Sequence, residues 1–270
     1  MTHQEIEPLT FISLLHLHTL ENVIIYMKRK LVQIIGGSAS TAYALDEGQL
    51  PWPDLISKRF PNLEIRHINQ PLMTLVQSMN HIQDLEKSDL LVLHFGTSVG
   101  WPEPVVKIGH KFGMGLHNDH SFQQPPKNYS GTLKRRLGKS LKLKIRNLIK
   151  YLLFILGLYK PRASLREMGD QVGVVARVAR EKATTVIWIQ HQSIQTSRIV
   201  LERSLYRRYY REIIDALSPL VSENFRVLQL PMNFLRADNF LLDGVHLAAQ
   251  GHKELAELIE EKFGGLLSDD

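Results

Sequence analysis

The chain has 270 residues, of which 44% are apolar and 22% charged, with no cysteine and a formal charge of +6. Those proportions match ordinary globular domains and exclude disorder, collagen or coiled coil as a description of the whole chain. Without cysteine there is no disulfide, no thiolate metal site and no cysteine nucleophile, and a reducing, cytoplasmic location is the expectation.

The charge is concentrated. Ser121 to Arg166 hold twelve Lys/Arg and no Asp/Glu, while the remainder carries 21 basic and 27 acidic residues. A nucleic-acid binder would spread its positive charge more widely. A mildly acidic body with one cationic segment reads instead as an ordinary domain with an insertion, and no nucleic acid is expected as a partner.

At the N-terminus, Glu5 and Glu7 stand where a secretory leader would be basic, and His16 and His18 break the apolar stretch that begins at Phe11. Met27-Lys28-Arg29-Lys30 directly precedes the first strand-like run. Residues 1–26 therefore read as an extension outside the core, with Met27 a candidate start and 27–270 the domain. Strands are expected at 31–35, 63–68, 89–95, 184–190 and 225–230: the first is a short apolar run ended by Gly36-Gly37, the third is the most continuous, the fourth is rich in β-branched residues and the fifth is stopped by Pro231. Helices are expected between them, at 53–60, 73–85, 164–182, 199–217 and 248–263. In the second, Leu72, Val76, Met79 and Ile82 are spaced to form the inner face. In the third, Ser164 and Glu167 have capping-box spacing. In the fourth, Leu205, Tyr209, Ile213 and Leu217 recur every four residues. Strands alternating with helices indicate a doubly wound α/β domain, and continuous apolar strands indicate a parallel sheet covered on both faces.

The interruption at about 101–163 follows the third strand, on the edge where such sheets keep their ligands. Within it, 133–150 alternates basic and apolar residues at helical spacing, with Leu137, Leu141, Ile145, Leu148 and Ile149 near one face. Such a helix packs its apolar face on the body, lies on an anionic membrane surface through 133–159, or meets an acidic partner or polysaccharide. The membrane reading would make the protein peripheral. As a helix, 151–159 would rise only about 14 Å, far short of the ~30 Å hydrocarbon core.

Three places carry chemistry. Gly36-Gly37-Ser38-Ala39-Ser40 follows the first strand, where a serine on a glycine-rich turn can expose its hydroxyl beside backbone N–H groups. Leu93-His94-Phe95-Gly96-Thr97-Ser98 ends the third strand, where Gly96 admits a substrate and Thr97 and Ser98 offer donors to an oxyanion. Asp243-Gly244-Val245-His246 precedes the last helix, and a carboxylate three residues before an imidazole can orient it toward a serine. Read singly, each also fits a plain turn or a helix cap.

Together, a serine after strand one, a glycine ending strand three and D-x-x-H before the last helix resemble the SGNH/GDSL hydrolase family from about Lys30 onward. The ending DGVHLAAQGHKELAELI is the most specific part. The resemblance implies a flavodoxin-like three-layer α/β/α fold with a five-stranded parallel sheet. It implies hydrolysis or transfer of ester-linked acyl groups without metal or cofactor. It makes Ser38 the nucleophile, His246 the general base and Asp243 its orienting carboxylate, with Gly37, Gly96, Thr97 and Ser98 around the oxyanion or substrate. The insertion and the stretch YRRYYREIIDAL are further similar to SGNH-like proteins of bacterial surface-polysaccharide gene clusters. They imply an esterase or O-acyltransferase whose partner is an acylated carbohydrate or small ester, with O-acetyl groups of a carbohydrate or polysaccharide as the expected target. The chain departs from the family pattern at Gly37, where the motif has Asp, at Asn69-Gln70-Pro71-Leu72, which lacks the donor glycine, and at Ser98-Val99, where Asn-Asp is usual. These departures equally fit a binding module that has lost catalysis and holds a polysaccharide or a membrane-associated partner. Gln190 and His191, ending strand four, are candidate pocket residues. Trp101 is placed to stack on a sugar or pack the insertion. His94, His110, His117, Asp119 and His120 lack a metal-ligand spacing.

Overall fold

The structure is a computed structural model that describes residues 29–42, 45–70, 73–95, 102–104, 148–149, 151–153, 155–157, 159–161, 163–190, 200–241 and 246–268. Its elements are β1 (Leu31–Gly36), α1 (Trp52–Arg59), β2 (Glu64–Asn69), α2 (Leu75–Gln83), β3 (Ser88–Phe95), β4 (Pro102–Pro104), β5 (Tyr159–Pro161), α3 (Leu165–Lys182), β6 (Ala183–Gln190), α4 (Val200–Leu217), β7 (Phe225–Gln229) and α5 (Ala249–Leu267). Five strands form one sheet in the order β2-β1-β3-β6-β7, and every pairing in it is parallel. This is the flavodoxin-like winding, whose strand order reverses between β1 and β3.

Alternate strand residues point to opposite faces, and each face has its own cover. On one side Trp52 and Ile56 of α1 and Leu255, Ile259 and Phe263 of α5 pack on Val32, Ile34, Val92, Ile187 and Ile189. On the other, Ile82 of α2, Met168 and Val172 of α3, and Tyr209 and Ile213 of α4 pack on Ile35, Leu91, Leu93, Val186 and Trp188. Double coverage explains why the central strands are apolar throughout rather than alternating. Each fully buried Leu or Ile contributes roughly 1.5–3 kcal/mol. The three-layer α/β/α architecture expected from the sequence is the one observed.

Helix starts follow local chemistry. The Ser164 hydroxyl accepts from Glu167 N at 3.2 Å, and the Glu167 carboxylate accepts from Ser164 N at 2.7 Å, completing the expected capping box. A second box, Thr74 with Gln77, starts α2 at Leu75. The inner face of α2 is therefore Leu75, Ser78 and Ile82, and Val76 is 49% exposed rather than inward. Ser78 occupies a buried position because its hydroxyl donates to Leu75 O at 2.7 Å, leaving no unmet polar group.

After β3, the antiparallel pair β4 and β5 brackets residues 105–158. The extension at 1–26 lies outside the described residues. Among the described residues, no helix is long and apolar enough to cross a membrane.

Candidate functional site

β1 ends at Gly36, which lies between Asn69 of β2 and His94 of β3. This is the C-terminal edge of the sheet at the point where strand order reverses. There the chain makes a 3-10 turn over Ser38–Ser40. Ser40 N donates to Gly37 O at 3.0 Å, and Gly37 N donates to His94 O at 3.1 Å. Thr41 Oγ1 donates to Ser38 O at 2.9 Å.

The two glycines have different reasons to be there. A Cβ on Gly36 would overlap the Ser40 side chain and come within 3.1 Å of His94 O. Gly37 has φ −87°, an ordinary value for any residue, and a Cβ there would meet nothing nearer than Gln70 O at 3.9 Å. The first glycine is thus dictated by close approach. The second is not, and a side chain such as the family's Asp would find room.

Within this turn Ala39 and Ser40 are buried, whereas Ser38 is partly exposed. Of the two serines in the turn, Ser38 alone retains solvent exposure. Ser40, with no exposed surface, hydrogen-bonds His94 Nδ1 at 2.8 Å. The same nitrogen accepts from Trp52 Nε1 at 3.0 Å. An indole N–H only donates, so His94 Nδ1 is the acceptor, and the ring proton of the neutral imidazole sits on Nε2. Ser40 then donates its hydroxyl proton to that nitrogen as well. This Ser–His pair is sealed from solvent and has no room for an ester.

Trp52 continues the chain of contacts. Its ring meets His94 edge-on at 5.6 Å between centroids, and its backbone N donates to His252 Nδ1 at 3.2 Å. His252 lies in the first turns of α5, and its own amide bonds Ala248 O at 3.0 Å. The Ser38 turn, the end of β3, the start of α1 and the start of α5 are thereby tied by buried polar contacts. Each such bond contributes roughly 0.5–1.5 kcal/mol net, and losing one partner costs more.

His246 enters from the α5 side. It is 8% exposed, and its carbonyl accepts from Leu241 N at 2.8 Å, closing the loop between them. Phe240 and Leu247 form an antiparallel bridge beside it. The loop is pinned to α5 because Ala248 N donates to Asn239 O at 3.0 Å, and a Cβ on Gly251 would overlap that same oxygen. Asn239 Nδ2 also donates to Phe234 O at 3.0 Å and to the Glu254 carboxylate at 2.6 Å. Burial opposes ionisation of Glu254, but hydrogen bonds from Gln250 and Asn239 and the Arg236 guanidinium outweigh it and hold its pKa below the ordinary carboxylate value.

Of the candidate catalytic and pocket residues, Gly37, Ser38, Gln190 and His246 are described, and all belong to loops or strand ends around this edge. Asp243, Gly96, Thr97, Ser98 and His191 lie outside the described residues, as do Trp101, His110, His117, Asp119 and His120. Gln190 is buried, and its side-chain oxygen accepts from Trp188 Nε1 at 3.2 Å, on the face covered by α2, α3 and α4. Gln70 N donates to Gly36 O at 3.1 Å, extending the β1–β2 ladder. Among the described residues, no group of three His, Asp or Glu is arranged to hold a metal. The contacts of His94 instead belong to Ser40 and Trp52. The sequence reading did not anticipate the Ser40–His94–Trp52–His252 chain. Its visible traces were a second serine two residues after the first and a histidine inside an otherwise apolar strand.

No family model and no curated protein matches the sequence. Solved structures do match. A member of the lipolytic protein G-D-S-L family from Veillonella parvula is 12% identical, covers 87% of this chain and 98% of its own, and superposes with a TM-score of 0.53. A lipase/acylhydrolase from Enterococcus faecalis is 15% identical over 89% and 98%, with a TM-score of 0.52. TesA is 15% identical over 88% and 99%, with a TM-score of 0.50. The five-stranded parallel sheet with helices on both faces agrees with this likeness: the chain has the fold of the GDSL/SGNH lipolytic proteins.

Proposed function

We propose that the protein is a serine esterase or acyltransferase acting on ester-linked acyl groups, with O-acetyl groups of a carbohydrate as the substrate class. The observation that carries this reading is the contrast inside one turn: Ser38 reaches solvent where strand order reverses, while its neighbours are buried and held. In this mechanism the Ser38 oxygen attacks the ester carbonyl as His246 accepts the hydroxyl proton. The tetrahedral oxyanion meets the Ser38 amide, which no backbone hydrogen bond engages among the described residues. Collapse breaks the bond to the sugar oxygen, which takes the proton from His246, and leaves an acyl-enzyme. Water or a second hydroxyl then attacks, and His246 repeats the proton transfer. Asp243 orients the imidazole. The carbohydrate class is supported by the likeness of the insertion and of the YRRYYREIIDAL stretch to SGNH-like proteins of polysaccharide gene clusters.

A second reading, a binding module without catalysis, has one observation in its favour. The Gln70 amide is already committed to Gly36 O, and Pro71 has no N–H, so neither of these residues supplies an oxyanion donor. A fluorophosphonate probe separates the two readings. The enzyme forms a covalent adduct that Ser38→Ala abolishes and Ser40→Ala retains. An adduct absent from wild type, or unaffected by Ser38→Ala, refutes Ser38 as nucleophile. Acetate release from an O-acetylated oligosaccharide, compared with a simple aryl acetate, tests the carbohydrate class.

A further inference from the structure

We propose that residues 148–157 form a docking surface for an anionic lipid bilayer. Residues 148–149, 151–153 and 155 are helical, Leu156 N donates to Leu152 O at 3.0 Å, and Gly157 at φ +68° follows. Leu148, Tyr151, Leu152, Ile155 and Leu156 are 58%, 45%, 50%, 61% and 68% exposed, whereas Leu153 is 9% exposed. The exposed positions are spaced 0, 3, 4, 7 and 8, which is one continuous stripe on a helix. Single exposed apolar residues are ordinary on protein surfaces, but a contiguous set marks an interaction site.

Charge selects the occupant. The stripe lies inside the segment with twelve Lys/Arg and no Asp/Glu, and Lys142, Lys144, Arg146 and Lys150 adjoin it in sequence. A second copy of the chain would set this same positive charge against itself. A polysaccharide offers nothing to five exposed apolar side chains. An anionic bilayer satisfies both demands at once: acyl chains take the stripe, and headgroups take the cations. Even a continuous ten-residue helix would rise only about 15 Å, half the hydrocarbon thickness, so a segment of this length lies in the interface rather than spanning it. The proposal is independent of the role given to Ser38.

The test is co-sedimentation of the full chain with vesicles of phosphatidylcholine alone or mixed with phosphatidylglycerol. Binding is expected only to the mixed vesicles, and to weaken at least about tenfold between ~0.1 M and ~1 M salt as the charges are screened. The double variant Leu152→Glu/Ile155→Glu is expected to bind at least about tenfold less, with an unchanged circular-dichroism spectrum and melting temperature. Lys142→Gln/Lys144→Gln/Arg146→Gln keeps the stripe intact and is expected to lose the preference for anionic vesicles, so the test stands even if the first variant misfolds. No vesicle binding by wild type overturns the proposal. Equal binding to both vesicle types overturns it as well. A dimer in sedimentation equilibrium that Leu152→Glu/Ile155→Glu dissolves, without vesicle binding, assigns the stripe to a second copy instead.

Discussion

At the C-terminal edge of the sheet, Ser40, His94, Trp52 and His252 bury polar atoms, while along residues 148–156 five apolar side chains face outward. Both regions invert the usual sorting of polar and apolar groups, but they do so with different physics. The buried polar atoms have partners, so their desolvation is compensated and the arrangement stiffens the loops that carry Ser38 and His246. The exposed apolar atoms have no compensation within the described residues, so their free energy is recovered only when something covers them. One inversion ties together the elements around the candidate site, and the other points outside the fold.

Truncation should separate the two regions most sharply. Trp52→Ala removes a side chain with 1% exposure together with the donor to His94, and is expected to destabilise the fold by about 3–5 kcal/mol in urea unfolding. Ile155→Ala, at 61% exposure, is expected to change stability by no more than about 0.5 kcal/mol. Equal costs at the two sites would mean that the 148–156 stripe is covered, and the comparison would fail.

The paired glycines give the next largest effect. Gly36→Ala drives a methyl group into Ser40 and toward His94 O, and should cost about 1–3 kcal/mol while displacing the turn that carries Ser38. Gly37→Ala meets nothing closer than ordinary contact and should stay within about 0.5 kcal/mol of wild type. Thermal melts of the two variants, with fluorophosphonate labelling rates beside them, check both statements.

How much of this was legible beforehand depended on range. Each of the five sheet strands lies within one residue of its expected bounds; for β1, β3 and β6 this is because buried parallel strands carry a continuous apolar signal over a few adjacent residues. The Ser164–Glu167 box was legible for the same reason, since it acts across three residues. Val76 was misplaced because the inner face of α2 includes Ser78, and a pattern that counts only apolar residues passes over a serine satisfied by its own helix. The Ser40–His94–Trp52–His252 chain joins residues 54, 42 and 200 positions apart. No local period encodes such separations. For the site itself, the motif distinguished Ser38 from Ser40 only through resemblance. The difference in exposure provides the physical reason.

Ser40→Ala probes the buried region more gently. It removes one donor to His94 Nδ1 and leaves the Trp52 donor in place, so a loss of about 1 kcal/mol is expected. As a positioning residue, Ser40 should affect the rate of Ser38 acylation rather than substrate affinity. A lowered kcat with unchanged KM supports that role. Unchanged kinetics alongside lowered stability would make the contact purely structural.

The smallest effect concerns acid. Glu254 sits near the start of α5, behind the loop that carries His246, and accepts from Asn239, Gln250 and Arg236. Its folded pKa lies below its ordinary value despite burial, so its contribution to stability is present above the unfolded carboxylate pKa and disappears as pH falls through the folded one. Glu254→Gln should therefore be less stable than wild type at neutral pH, by under about 1 kcal/mol. The gap should close as pH drops below the ordinary carboxylate range, because the wild-type side chain becomes neutral too. Urea midpoints measured from neutral pH into the acid range will show two curves that converge. Curves that stay parallel would mean that Glu254 anchors the His246 loop by shape rather than by charge, and the loop would then hold its position in acid for as long as the fold survives.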